Sequence, residues 1–177
     1  MSADSSRILI VDDDEAMRYV RSRVLRGRGY SVSEARLGRD ALVLAASEKP
    51  DLTLLDVKLP DLSGIEVCRE IKSRFPDMIV LQTSAAFTGV ADRTNALDGG
   101  ADSYLIEPIE PDELVATVNA LLRMRQAEQE ARQINRNLEQ LVAERTRELA
   151  EETGASPTRS PIAARRRPRS GILRSSI

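Results

Sequence analysis

The sequence predicts an α/β fold, a parallel β-sheet covered by helices and followed by one long C-terminal helix. Short apolar runs such as Ile8-Leu9-Ile10-Val11 and Leu52-Thr53-Leu54-Leu55 read as strands buried on both faces, as parallel sheets require. These strands alternate with amphipathic segments of helical period over about 120 residues, which implies βαβ units with right-handed crossovers. From Arg123 to Glu151 there is neither glycine nor proline, so the last helix has no stop signal.

The elements follow in order. Arg7-Ile8-Leu9-Ile10-Val11 is the first strand, and it runs into Asp12-Asp13-Asp14-Glu15. Carboxylates at that point favour a helix start, because they complement the dipole and accept from free N–H groups. The helix carries Met17, Val20, Val24 and Leu25 as its apolar face and ends near Gly27 and Gly29. Tyr30 to Ala35 is a short strand. Gly38 to Ser47 is a helix with Ala41, Leu42, Leu44 and Ala45, closed by Pro50. The third strand, from Leu52, ends abruptly in Asp56, and the turn-prone Pro60-Asp61-Leu62-Ser63-Gly64 comes next. A third helix, Ile65 to Phe75, is stopped by Pro76. Met78 to Ser84 is a strand, Val90 to Leu97 a weak helix, and Ser103 to Ile106 a fifth strand leading into Glu107-Pro108. Pro111 opens the final helix, with Leu114, Val115, Val118, Leu121 and Leu122 facing inward.

Beyond Arg123 the apolar positions change character. Met124, Ala127, Ala131, Ile134, Leu138 and Leu141 alternate steps of three and four, a heptad seam. Arg145 takes the next seam position while Val142 and Leu149 continue the stripe, a phase shift resembling a stutter. Helical from Pro111 to Glu152, this segment would extend roughly 60 Å at about 1.5 Å per residue. The organisation expected is therefore a sheet domain over 1–122, a coiled-coil helix over 123–152 and a basic, disordered tail over 153–177. That tail holds six arginines and no acid, so residues 1–152 set 20 basic against 28 acidic groups, a net charge of −8. It lacks interleaved aromatics and any nucleic-acid reader motif.

Composition excludes several chemistries. There is no histidine, which removes histidine metal sites, histidine bases and His-Asp triads. Cys68 is the only cysteine, so no disulfide framework forms within the chain. No apolar run reaches the length of a membrane span, and Met1 to Arg7 is too polar for a signal peptide. A cytoplasmic location is expected.

If the first and third strands are neighbours, Asp12, Asp13 and Asp56 converge at the C-terminal edge of the sheet, where open α/β sheets bind ligands. Three carboxylates in one crevice repel one another unless a hard divalent cation neutralises them, and an all-oxygen set with room for waters favours Mg²⁺. With a phosphoryl donor nearby, one carboxylate can act as nucleophile, a route to an aspartyl phosphate. The bland alternative for Asp13 and Asp14 is helix capping.

Four ordered motifs carry a resemblance over residues 7–122. They are Ile8 to Asp13, Leu54-Leu55-Asp56-Val57-Lys58-Leu59-Pro60 with Gly64, Leu81-Gln82-Thr83-Ser84-Ala85, and Gly100 to Tyr104 with Glu107-Pro108. Together they resemble the receiver domains of bacterial two-component response regulators. The resemblance implies a flavodoxin-like five-stranded parallel sheet of order 2-1-3-4-5 with helices on both faces. It implies Asp56 as phosphoacceptor, and Mg²⁺ held by Asp13, Asp56 and the backbone carbonyl of Lys58, with Asp12 acting through water. Ser84 would be the switch hydroxyl, favoured over Thr83 by strand alternation, and Tyr104 the aromatic that follows it. A sensor histidine kinase or phosphotransfer protein would supply the phosphoryl group. One position departs from the pattern: the residue before the fifth-strand proline is ordinarily a lysine that pairs with the phosphoryl oxygens, and here it is Glu107. Like charges about 4 Å apart repel by roughly 4 kcal/mol at an effective dielectric of about 20. Glu107 would turn to solvent, recruit cations or face Lys58, and Glu107→Lys would strengthen the response around Tyr104.

The expected function is a phosphoacceptor module, not a turnover enzyme, with a homodimeric coiled coil as output. Competing readings are a phosphate-independent scaffold and the front end of a hybrid histidine kinase, since Leu138 to Leu149 is similar to coils that precede kinase modules. A haloacid-dehalogenase-like phosphatase built on Asp12 and Asp14 is disfavoured by Asp56 and the short chain.

Overall fold

The computed structural model describes residues 6–85 and 99–153. The described residues fall into two units, one before and one after the boundary at Glu130 and Ala131. The first unit contains a five-stranded parallel sheet of order β2-β1-β3-β4-β5. Its strands are β1 (Arg7–Val11), β2 (Ser31–Ala35), β3 (Leu52–Asp56), β4 (Ile79–Ser84) and β5 (Ser103–Ile106). Between them run α1 (Glu15–Gly27), α2 (Gly38–Glu48) and α3 (Gly64–Arg74), and α4 (Pro111–Thr153) follows β5. The predicted helix at Val90 to Leu97 and the predicted tail after Thr153 lie outside the described residues.

Because side chains alternate along a strand, the buried sheet supplies two cores. Ile8, Ile10, Leu52, Leu54, Ile79, Leu81 and Leu105 pack with Leu25 of α1 and with Leu114, Val115, Val118 and Leu121 of α4. Leu9, Val11, Leu55 and Val80 pack with Ala41 and Ala45 of α2 and with Val67, Cys68 and Ile71 of α3. The central strands β1, β3 and β4 are buried almost throughout, which explains the apolar runs of β1 and β3, while β4 also buries the polar Gln82, Thr83 and Ser84.

The helix ends have identifiable causes. The Asp14 side chain accepts from the Ala16 and Met17 N–H groups at the start of α1, an N-cap that removes orphan donors. Gly29, with φ +90°, turns the chain after that helix. Ser63 and Glu66 form a reciprocal capping box at α3. Asp61 acts at a distance: its carboxylate accepts from Gly38 N at 2.8 Å and Arg39 N at 3.0 Å, tying the β3–α3 loop to the start of α2.

One expectation needs correction in α1. Val20 is half exposed, and the helix instead buries Arg21, Ser22 and Leu25. Arg21 lies midway between Met17 and Leu25 at four-residue spacing, so it occupies the core-facing row that an apolar count assigns elsewhere. In α4, Leu114, Val115, Val118 and Leu121 are buried as expected. Farther along the same helix, Met124, Ile134, Leu138, Leu141, Val142 and Leu149 are exposed.

Gly64 sets how closely α3 approaches the end of β3. A Cβ there would lie 2.7 Å from the Val57 Cα and closer still to the Asp56 carbonyl oxygen. Its N–H donates to the Val57 carbonyl at 2.9 Å. Gly64→Ala is expected to cost about 1–3 kcal/mol through overpacking against backbone that cannot move away. Gly27→Ala, where the space is open, should change stability by less than about 1 kcal/mol. Urea denaturation of the two variants checks the contrast.

Candidate functional site

Parallel pairing of β1 with β3 aligns Val11 with Leu55. Asp12 and Asp56 therefore leave the sheet side by side. Ligand oxygens of Asp12, Asp13 and Asp56 lie within 4.8 Å of one another. Asp14 performs the capping, which leaves Asp12 and Asp13 to the crevice. Asp12 is held from two sides: its N–H donates to the Ala35 carbonyl at 3.1 Å, and its Oδ1 accepts from Asp14 N at 2.9 Å. Asp12 is 3% exposed, Asp13 is exposed and Asp56 is intermediate.

These placements perturb the carboxylates. Burial pushes Asp56 up to about 6, assisted by the negative charges of Asp12 and Glu107, while the Lys58 and Val57 N–H groups oppose the shift. Asp12 is also raised, by burial first, against the stabilising Asp14 N–H and Arg21 guanidinium. The donors are all carboxylate oxygens, clustered, and partly open to solvent through Asp13 and Asp56. That chemistry fits a hard divalent cation retaining waters, Mg²⁺ above all. Lys58 lies two residues beyond Asp56 in a loop pinned by an isolated bridge between Lys58 and Ser63.

The hydroxyl positions separate by face. Thr83 is the register partner of Asp56, so it shares that face of the sheet, and its Oγ1 lies 3.4 Å from Arg21 Nη1. Ser84 ends β4 on the opposite face, the one carrying Gln82 and its β5 partner Tyr104. Thr83 and Ser84 are both fully buried. Alternation thus gives the Asp56 face to Thr83 and the Tyr104 face to Ser84, so the expectation that strand alternation favours Ser84 over Thr83 beside Asp56 is corrected by the register. Gln82 Nε2 donates to the Gly64 carbonyl at 3.2 Å and links this second face to the start of α3.

Glu107 does not turn to solvent, and its partner is not Lys58, whose side chain is exposed. It forms an ion pair with Arg21, a residue the sequence reading missed. Arg21 is 4% exposed and also donates from Nη1 to Asp12 Oδ2 at 2.5 Å. One guanidinium from α1 therefore joins the ends of β1 and β5 and touches β4. The Glu107 backbone N–H donates to the Ser84 carbonyl at 3.1 Å, fastening the same point to β4. A lysine at 107 would face Arg21 directly, so restoring that residue alone would place two cations together.

A model of the response regulator receiver domain family matches residues 8–119. The chain belongs to that family. A response regulator MprA of Mycolicibacterium vanbaalenii is 48% identical over 117 residues, covering 66% of this chain and 50% of the relative. The chain thus spans about half the length of the curated relatives it matches. The crystal structure of a CheY-like receiver domain protein from Methanospirillum hungatei superposes with a TM-score of 0.68 at 30% identity, covering 71% of this chain and 99% of that one. The BeF3-activated DrrB receiver domain superposes with a TM-score of 0.62 at 31% identity, covering 67% and 98%. The receiver's sheet order agrees with the expectation from its motifs. No helix among the described residues is long and apolar enough to cross a membrane.

The raised Asp56 pKa has a signed consequence for the metal-free receiver. Folding favours the protonated acid, so stability from this group is present below the ordinary value of 3.8 and is lost as pH rises through about 6. Carboxyl ¹³C titration without Mg²⁺ should give a midpoint near 6 for Asp56. Asp56→Asn should be more stable than the wild type at neutral pH, and this advantage should vanish in acid.

Proposed function

We propose that this receiver accepts a phosphoryl group on Asp56 with Mg²⁺ and passes the signal through a homodimeric coiled coil formed by α4. The observation that carries the reading is the convergence of Asp12, Asp13 and Asp56 at the C-terminal edge of the sheet. Asp13, Asp56 and the Lys58 carbonyl would hold the ion directly, and Asp12 through water. Bound Mg²⁺ would offset carboxylate charge and draw phosphoryl oxygens toward the crevice.

The chemistry is a phosphoryl transfer to a carboxylate. One ionised Asp56 oxygen attacks the donor's phosphorus, and a new O–P bond forms. The bond from phosphorus to the donor breaks, and the leaving group keeps the electron pair. Asp56 must be deprotonated for this, which the Lys58 and Val57 N–H groups favour and burial opposes. The donor is a sensor histidine kinase, a phosphotransfer protein or a small acyl phosphate. Ser84, the last residue of β4 and on the Tyr104 face, would act as the switch hydroxyl from the strand's end rather than from the Asp56 face, and Tyr104, beside Gln82, as the aromatic that responds. The module is a phosphoacceptor and not a turnover enzyme, and it works in the cytoplasm.

Support for the dimer comes from α4. Its exposed Ile134, Leu138 and Leu141 fall at heptad positions, and burying such a stripe against a second copy is what coiled coils do. A second reading, a phosphate-independent scaffold, is favoured by the Arg21 contact that occupies Asp12.

Two measurements test these claims. Beryllofluoride with Mg²⁺ should shift amide resonances around Asp56 and at Tyr104, and Asp56→Asn should abolish the shifts. No shift in the wild type would favour the scaffold. In sedimentation velocity the full chain should run as a dimer at micromolar concentration and Leu138→Asp as a monomer. A wild-type monomer would refute the coiled-coil output.

A further inference from the structure

Arg21 is the only buried basic residue among those described. A buried guanidinium is costly to desolvate, and removing one partner leaves an uncompensated charge. Such a group is an expensive way to hold α1 against a sheet that already packs Leu25. Its position is more informative than its stability. It stands between Asp12 and Glu107 and reaches Thr83, the register partner of Asp56. Asp12, to which it donates, itself lies in the oxygen cluster with Asp56. The cation is therefore one carboxylate away from the nucleophile.

Phosphorylation would add charge to a crevice already holding Asp12, Asp13, Asp56 and Glu107. β5 contributes a carboxylate there, so attraction for phosphoryl oxygens must come from another element. We propose that Arg21, delivered from α1, is the residue that engages the phosphoryl group on Asp56, and that Glu107 holds it in reserve until then. This rests on the phosphoacceptor reading above and adds the residue that reads the charge.

A guanidinium has five donors in a planar fork suited to phosphoryl oxygens, so Arg21 can keep Asp12 while exchanging Glu107 for the new anion. Glu107 is 19% exposed and can be hydrated on release. Its backbone N–H is bonded to the Ser84 carbonyl, so loss of the side-chain anchor is felt where β5 meets β4, three residues after Tyr104. The exchange converts an event at Asp56 into a change at the β4–β5 edge. Arg21 acts here as a positioning and recognition residue.

The test is a beryllofluoride titration of the full chain at saturating Mg²⁺, followed by ¹⁹F NMR of the bound fluoride, with Mg²⁺ affinity measured separately. Arg21→Gln should weaken beryllofluoride about ten- to a hundredfold, the loss of a charged hydrogen-bond partner. The same variant should bind Mg²⁺ alone as well as or better than the wild type, because a cation has left the ligand cluster. A merely structural role would move both affinities down together. Glu107→Gln, which frees Arg21, should tighten beryllofluoride about tenfold. Arg21→Gln/Glu107→Lys moves the cation from α1 to β5 and should recover most of the binding lost in Arg21→Gln. Should Arg21→Gln not fold, the double variant carries the test: a folded double variant that fails to bind overturns the proposal. So does unchanged beryllofluoride affinity in Arg21→Gln, or a parallel loss of Mg²⁺. A wild type that never binds beryllofluoride refutes the phosphoacceptor reading itself, and this proposal with it.

Discussion

The guanidinium of Arg21, buried between Asp12 and Glu107, is the interaction on which the rest of the site depends. Four carboxylates share the C-terminal edge of one sheet, and like charges at such distances repel by several kcal/mol in a protein interior. Arg21 cancels part of that repulsion from α1, and it does so with short contacts inside the protein. Without it, Asp12 would be a buried charge facing Glu107 across the crevice. With it, the ends of β1, β4 and β5 are joined through one planar group. The charge inversion at position 107 is thus answered within the fold.

The remaining geometry serves to bring Asp56 into that field. β3 is central in the sheet, flanked by β1 and β4, so its last residue emerges beside Asp12 and Thr83 at once. Gly64 lets α3 begin against the Asp56 and Val57 backbone, where any side chain would collide. Asp61 holds the same loop to α2 through two backbone N–H groups, and those bonds keep its own carboxyl below the usual range. Asp56 is left half-buried, with its pKa raised by burial and by the neighbouring charges of Asp12 and Glu107. The distribution of charge follows from topology.

Much of this was legible in the sequence. Apolar runs marked β1, β3 and the first half of β4, because strands buried on both faces leave no room for alternation. Carboxylates placed directly after two such runs marked the crevice, and the missing Gly and Pro after Arg123 marked the length of α4. What escaped was long-range. Arg21 stands on an otherwise apolar helical row, but arginine is usually on the surface, so the row was assigned to Val20. Its partner lies 86 residues away, and nothing local to either residue identifies the other. The division of Thr83 and Ser84 between two faces likewise needed the register of β4 against β3 and β5. Glu107 was recognised as anomalous, but its compensation had to be found in three dimensions.

The most direct test of the central claim is chemical trapping of the product on Asp56. The full chain would be incubated with a small acyl phosphate and Mg²⁺, then reduced with borohydride, which converts an aspartyl phosphate to homoserine, and mapped by peptide mass spectrometry. Homoserine at position 56 alone, dependent on Mg²⁺ and absent from Asp56→Asn, is the predicted result. Homoserine at another acid, or none at position 56 with the donor saturating, would contradict the account.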